Sequence, residues 1–326
     1  MKKIEPVVLN AAEIERAAPS RGRIIAAIED VYRMMGKGET EVPAKIGVHP
    51  DRTGSFLHAM PAWVSGGRCL GMKWVSYFPG NFSLDRPDST GIIVLNDPDE
   101  GLPVAIMEGM WITYARTAAC AAVAAKHLAS PRPRRLGLVG CGGLGRWSLL
   151  MLAEVFPELD EIYVSSRTPQ SRAQFCEQMA EHGRWKLVPV ENAREAMTGM
   201  DIVISSVPGT KPYPIIGEWW TPGCVFIPLD VTGSWDDTLF SRVDRIVTDG
   251  HESFARVIER SRPNLSPLQK PWTPIWDVIS GGMPDRGDKY RIMSIVSGVA
   301  STDMVLGWEI YLRAVEMGLG HRVQLT

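Results

Sequence analysis

An α/β fold organised on a doubly wound parallel sheet is predicted by three features of this sequence. The first is a strand, a glycine turn and a helix in immediate succession: the apolar run Leu136 to Val139, the turn Gly140-Cys141-Gly142-Gly143-Leu144-Gly145, then helical spacing at Leu149, Leu150, Leu152, Ala153 and Phe156. The second is the repetition of that alternation downstream, with short apolar runs at 136–139, 161–165, 187–190, 201–206, 224–229 and 245–248. Repeated strand-helix units imply parallel strands whose ligands lie beyond their C-terminal ends. The third is a different texture upstream. Between Val42 and Leu95, apolar segments are punctuated by Gly, Pro and Asp, as in an antiparallel or mixed sheet.

The elements follow in order. Ile14, Ile24, Ile25, Ile28 and Val31 give helical periodicity from Ala11 to about Met35, with Ser20 as a helix cap. Strands are expected at 44–48, 55–60, 69–77 and 91–95, and Pro103 to Glu108 returns as one more after the turn Asp97-Pro98-Asp99-Glu100-Gly101. A very Ala-rich helix from about Thr113 to Leu128 suits close packing. Pro131-Arg132-Pro133 then separates it from the nucleotide-type domain. From Arg262 to Asp288 the chain is rich in Pro, Gly and Trp, which fits either a lid or an ordered surface loop. A last helix, Ser301 to Met317, is expected to pack back onto the N-terminal domain.

The 326 residues, 45% hydrophobic and 22% charged, suffice for two domains or one large one. A formal net charge of −2 gives no reason to expect a nucleic acid, and the basic cluster Arg132 to Arg135 reads as a polar linker. Val7-Val8-Leu9 is too short for a secretory signal and no apolar run reaches membrane length, so a soluble, cytoplasmic protein is expected. The five cysteines are odd in number and widely spaced, and the six histidines show no ligand spacing. Neither a disulfide framework nor a metal is expected.

The glycine turn carries the first chemical expectation. Gly140 permits the tight turn, Gly142 lets a pyrophosphate approach the backbone, and Gly145 lets helix and strand pack closely. Gly143 and Leu144 open the helix, whose N-terminal amides attract anions. The reading is a dinucleotide site, with a plain structural turn as the alternative. At the end of the next strand, where an acidic residue would favour NAD, stand Ser165-Ser166-Arg167-Thr168. Hydroxyls and a guanidinium suit a 2′-phosphate, so NADP is preferred and NAD remains possible. A solvated Arg167 is the alternative. Ser206 and Val207, ending the strand at 201–206, should flank the cofactor unless they form an ordinary turn.

Two cations carry the second expectation. Lys73 lies in an apolar strand and Arg116 in the Ala-rich helix, with no acid close to either in sequence. The carboxylate of an amino or keto acid would neutralise both. Two internal salt bridges are the alternative.

Gly71-Met72-Lys73-Trp74-Val75-Ser76, Val94-Leu95-Asn96-Asp97, Thr113 to Ala119, Gly140-Cys141-Gly142 and Ser297-Gly298-Val299-Ala300-x-x-Asp303 together resemble the ornithine cyclodeaminase/μ-crystallin family. The resemblance implies a Rossmann-type doubly wound parallel sheet, residues 131–299, inserted into an α+β substrate-binding and dimerisation domain, residues 1–130 plus 300–326. It implies an NAD(P)-dependent oxidoreductase interconverting an imino or keto acid and an α-amino acid, acting as a homodimer. Lys73 and Arg116 match the family's carboxylate-binding and catalytic cations, and Lys45 falls where relatives place another. Lys73 is the candidate for proton transfer and Glu108 a second; Asp88 adds charge near the expected substrate site. The acid that cyclodeaminases carry after the fifth strand is replaced by Gly233, with Asp230 and Asp236 nearby. A cyclodeaminase-like ammonia lyase and a non-catalytic NADPH-binding protein are the alternatives.

Overall fold

A computed structural model describes residues 3–50, 54–208, 212, 214–231, 233–262, 265, 272–283 and 289–326. The chain forms two compact units, Met1–Arg116 with Gly298–Thr326 and Thr117–Ser297. Their first boundary falls inside an α-helix, Met110–Leu128, rather than after it.

The first unit is a mixed sheet with helices on one face. Its strand order is His321–Arg322, Val7–Leu9, Pro103–Glu108, Ser89–Asn96, Cys69–Tyr77, Phe56–Val64 and Thr40–Glu41, with Ile46–Val48 also paired to Phe56–Val64. Only the Val7–Leu9 pairing with Pro103–Glu108 is parallel. Alternation sets the two faces. Lys73 lies opposite Met60 and Ile93, and all three are buried; Trp74 lies opposite Ala59 and Ile92 on the other face. The buried face is covered by the helix Ala300–Glu316, which packs against Phe56–Val64, Cys69–Tyr77 and the N-terminal helices Ala11–Ala17 and Arg21–Gly36. The N-terminal periodicity is thus two helices. Asn10 and Glu13 form a reciprocal cap on the first, and the Ser20 hydroxyl accepts the Arg23 amide at the start of the second, which ends the first before it.

The second unit has the Rossmann-type architecture that the alternation predicts. Eight strands, all parallel, run Lys186–Val190, Glu161–Ser165, Arg135–Val139, Ile202–Ser205, Val225–Pro228, Ile292–Ile295, Arg245–Thr248 and Trp272–Pro274. The order reverses direction between Arg135–Val139 and Ile202–Ser205, the switch point at which such sheets open a crevice. Two strands were hidden from the sequence, and both belong to the Pro-, Gly- and Trp-rich stretch or just past it. Trp272–Pro274 is an edge strand followed by the helix Ile275–Gly281, so this part carries regular structure where a surface loop is one of the two expectations. Pro263, Asn264, 266–271 and 284–288 lie outside the described residues. No described helix is long and apolar enough to cross a membrane.

Candidate active site

At the switch point three strand ends are tied together. The Gly140 amide donates to the carbonyl of Ser165 at 2.8 Å, and the Ser206 amide donates to that of Val139 at 2.8 Å. Gly140 has φ +108°, and a β-carbon there would lie 2.5 Å from the Ser206 carbonyl oxygen. Both the left-handed backbone and the close approach demand glycine. A β-carbon on Gly145 would lie 2.5 Å from the Gly140 oxygen, which brings the helix Gly143–Val155 down onto the turn. Gly142 is the contrary case. It begins that helix with no side-chain cap, and a β-carbon there would meet nothing within 4 Å. An open helix N-terminus with amides facing space is a cradle for a pyrophosphate, so these residues fit a dinucleotide.

Beyond the neighbouring strand, Arg167 and Thr168 are exposed and Ser166 is half-buried. Thr168 caps the helix Pro169–Ala180 by accepting the Ser171 amide at 3.2 Å, while Ser166 Oγ pairs with Ser171 Oγ at 2.6 Å. The turn is thus held locally, leaving Arg167 as its outward-facing cation. Sequence reasoning passed over Arg172, which is buried and donates to the Ser166 carbonyl at 2.8 Å, bracing the same turn from below. Val207 has another support: its amide donates at 3.0 Å to Asp230 Oδ2, whose other oxygen accepts from Ser234 Oγ at 2.9 Å. Burial pushes the Asp230 carboxyl up to about 6, against the pull of the Val207 amide and the Ser234 and Ser205 hydroxyls. Asp236 caps the helix Asp237–Arg242 instead. Gly209 and Thr210 lie outside the described residues.

The first unit holds the cationic cluster. Lys73 is 1% exposed because its strand turns every second residue toward the helix-covered face. Arg116 projects from the Ala-rich helix, one turn on from Thr113, whose hydroxyl accepts from Lys73 Nζ at 3.5 Å. Of the external anion and the internal salt bridges that the sequence leaves open, the structure shows the second: one internal acid joins both cations. Asp303 Oδ1 accepts from Lys73 Nζ at 2.7 Å and from Arg116 Nε at 2.9 Å. Asp303 is fully buried in the first turn of the helix Ala300–Glu316, 230 residues from Lys73 in sequence. Burial first, then the charges of Arg116 and Lys45, push the Lys73 ammonium down to about 7 against the pull of Asp303. Lys45 is thereby within electrostatic reach of the cluster.

Two expected residues stand elsewhere. Glu108 is a helix cap: its Oε1 accepts the Met110 amide at 2.6 Å and its Oε2 accepts the Trp111 amide at 3.0 Å. Both oxygens serve orphan donors of the Met110–Leu128 helix, a capping role that the sequence reading did not assign to Glu108. Asp88 enters the strand Ser89–Asn96, with its backbone carbonyl taking the Phe78 amide at 2.7 Å, and is not among the main charges acting on Lys73.

A Rossmann-type unit with a glycine cradle, joined in sequence to a mixed-sheet unit with a buried Lys-Asp-Arg cluster, defines a two-unit α/β dinucleotide-type protein. Residues 4–318 match the ornithine cyclodeaminase/mu-crystallin family, and the chain belongs to it. The nodulation efficiency protein NfeD of Rhizobium meliloti is 31% identical over 296 residues, 90% of each chain. The fold is shared with the Thermococcus litoralis Δ1-pyrroline-2-carboxylate reductase in complex with NADH and L-proline, at TM-score 0.89 and 24% identity over 97% of this chain and all of that one. It is shared also with an archaeal alanine dehydrogenase dimer with bound NAD, at TM-score 0.86 and 24% identity over 99% of this chain and 100% of that one.

Proposed function

We propose that this chain is an NAD(P)-dependent oxidoreductase that interconverts an imino or keto acid and an α-amino acid, working as a homodimer with NADP preferred. The observation that carries the reading is the Lys73-Asp303-Arg116 cluster: a buried ammonium poised near neutrality beside a permanent guanidinium. Lys45, Lys73 and Arg116 hold the substrate carboxylate. Lys73 gives a proton to the nitrogen as C=N is reduced and takes it back in the reverse direction, which a group near 7 does at little cost either way. A bound nicotinamide supplies or accepts the hydride at the α-carbon. Gly140, Gly142, Gly143, Leu144 and Gly145 carry the pyrophosphate, Ser206 and Val207 border it, and Arg167 with Ser166 and Thr168 receives a 2′-phosphate. The solved reductase and dehydrogenase neighbours hold NADH and NAD, so the NADP preference rests on the Ser166-Arg167-Thr168 turn, with Arg167 as its only charge.

Self-contained cyclodeamination is disfavoured, because Asp230 is committed to Val207 and Ser234 and Asp236 to a helix cap. Oxidation of NADPH and NADH is to be followed over a panel of cyclic and acyclic imino acids, with ammonia assayed in parallel. Net loss of reduced cofactor is expected. Ammonia release without net cofactor change indicates the lyase, and tight NADPH binding with no turnover across the panel indicates a binding protein; either result ends the proposal.

A further inference from the structure

Asp303 bonds in an unusual way for a structural ion-pair partner. Its Oδ1 accepts from both Lys73 Nζ and Arg116 Nε, while Oδ2, equally enclosed, has no hydrogen-bond partner among the described residues. A guanidinium matches a carboxylate best through two parallel bonds, and an idle buried acceptor costs free energy. An arrangement that gives up the bidentate pair so that two cations meet one oxygen fixes those cations relative to each other instead.

We propose that Asp303 is the positioning residue of the site: it clamps Lys73 and Arg116 to one point so that both address the same substrate carboxylate, and it couples carboxylate binding to proton uptake at Lys73. The coupling follows from the charges facing Lys73. Arg116 on the Ala-rich helix and Lys45 before the Ile46–Val48 strand oppose its charge, while Asp303 on the last helix supports it. Arg116 keeps its proton at any working pH, so the mobile proton belongs to Lys73. Two cations and one anion act on Lys73 in the free protein; an arriving carboxylate balances them and favours the ammonium. The bound state therefore holds the proton that C=N needs, since C=N plus hydride plus proton gives CH–NH. This inference rests on the oxidoreductase reading above and names the residue that sets its proton supply.

The test uses the NADPH-loaded protein and pyrrole-2-carboxylate, a planar carboxylate that takes no hydride. Calorimetry in buffers of different ionisation enthalpy reads protons taken up per ligand bound. The native chain is expected to take up little at pH 6 and close to one proton at pH 8. In Asp303→Asn both this window and the alkaline fall of kcat/KM for imino-acid reduction shift acidward by about 1–3 pH units, the effect of losing one opposite charge at contact distance. NADPH affinity is expected to stay unchanged. Asp303→Glu keeps the charge but moves it by a methylene, and is expected to retain the native window while losing about a hundredfold in kcat/KM. An unshifted window and pH profile in Asp303→Asn overturn the proposal while leaving the carboxylate site standing. If Asp303→Asn does not fold, native kcat/KM in Asp303→Glu overturns it. A native chain that binds no pyrrole-2-carboxylate and reduces no imino acid overturns the oxidoreductase reading, and this inference with it.

Discussion

Gly298 lies so close to Arg116 that a β-carbon on it would stand 2.7 Å from Nη1 of the guanidinium, and its φ of +74° is one that other residues adopt at a cost. Both facts predict the behaviour of Gly298→Ala. The left-handed backbone costs about 1–2 kcal/mol of stability, seen as a lower melting temperature. The methyl group also pushes the guanidinium off Asp303, so the KM for a carboxylate substrate rises while NADPH affinity holds. A variant with native KM would remove Arg116 from carboxylate binding.

Gly142 separates folding from cofactor binding. Because a β-carbon there meets no protein atom within 4 Å, Gly142→Ala is expected to melt like the native chain. The methyl would occupy space that the proposed pyrophosphate needs, so the NADPH dissociation constant should rise by about tenfold or more, equivalent to about 1.4 kcal/mol. Gly140→Ala and Gly145→Ala, whose β-carbons would each lie 2.5 Å from a backbone oxygen, should instead lose stability. Native NADPH affinity in folded Gly142→Ala would mean that the turn is only structural.

Arg167 is the residue proposed to decide between the two nucleotides. It is the exposed cation at the end of the Glu161–Ser165 strand, and the hydroxyls around it are occupied in local bonds. A charge-assisted bond to a phosphate is worth about 1.5–3 kcal/mol. Arg167→Ala should therefore weaken NADPH by about ten- to a hundredfold and leave NADH nearly unaffected. Equal losses for both, measured by fluorescence titration, would refute the assignment.

What the sequence disclosed follows from how each element buries its side chains. Parallel strands covered on both faces are continuous apolar runs, and Leu136 to Val139, Ile202 to Ile204 and Val225 to Ile227 read as strands for that reason. Trp272–Pro274 and Ile292–Ile295 escaped because a short run amid Pro and Gly resembles a loop, and Val7–Leu9 because a three-residue strand carries no period. Placing the Ala-rich helix at Thr113 rather than Met110 hid the cap role of Glu108 two residues before it. Lys73 and Arg116 stood out as charges in apolar surroundings. Their acid did not, since periodicity relates neighbours only a few residues apart and Asp303 lies 187 residues beyond Arg116. The motif containing Asp303 was visible; the pairing was not.

Asp230 makes stability pH-dependent. Its carboxyl is raised from 3.8 to about 6 in the folded chain, so between those values the folded state binds more protons than the unfolded one. Its contribution to stability is full below 3.8 and is lost as the pH rises through about 6. In Asp230→Asn, which can still accept the Val207 amide, this loss disappears. The melting temperature of the native chain should therefore fall relative to the variant between pH 4 and 6.5. Parallel curves across that range would show that Asp230 is not the group responsible.

The outward face of the first unit's sheet bears on assembly. Ile46 and Val48 are 68% and 60% exposed, and Trp74 and Ile92, opposite one another across adjacent strands, are 42% and 45% exposed. Ile46 lies opposite Ala59, and Ala59 opposite Trp74, so these side chains share one face. A contiguous apolar patch of this kind on a single chain is a surface that needs covering, and in the proposed homodimer a second copy would cover it with the same residues. Ile92→Glu sets a charge in the middle of that patch. Buried between two copies it would have no partner, so the variant should sediment and scatter light as a single 36.0 kDa chain where the native protein is expected at twice that mass. Its melting temperature should become independent of protein concentration, whereas that of a native dimer rises with it. A native protein that is already monomeric, or a variant that keeps the dimer mass, would rule this face out as the interface.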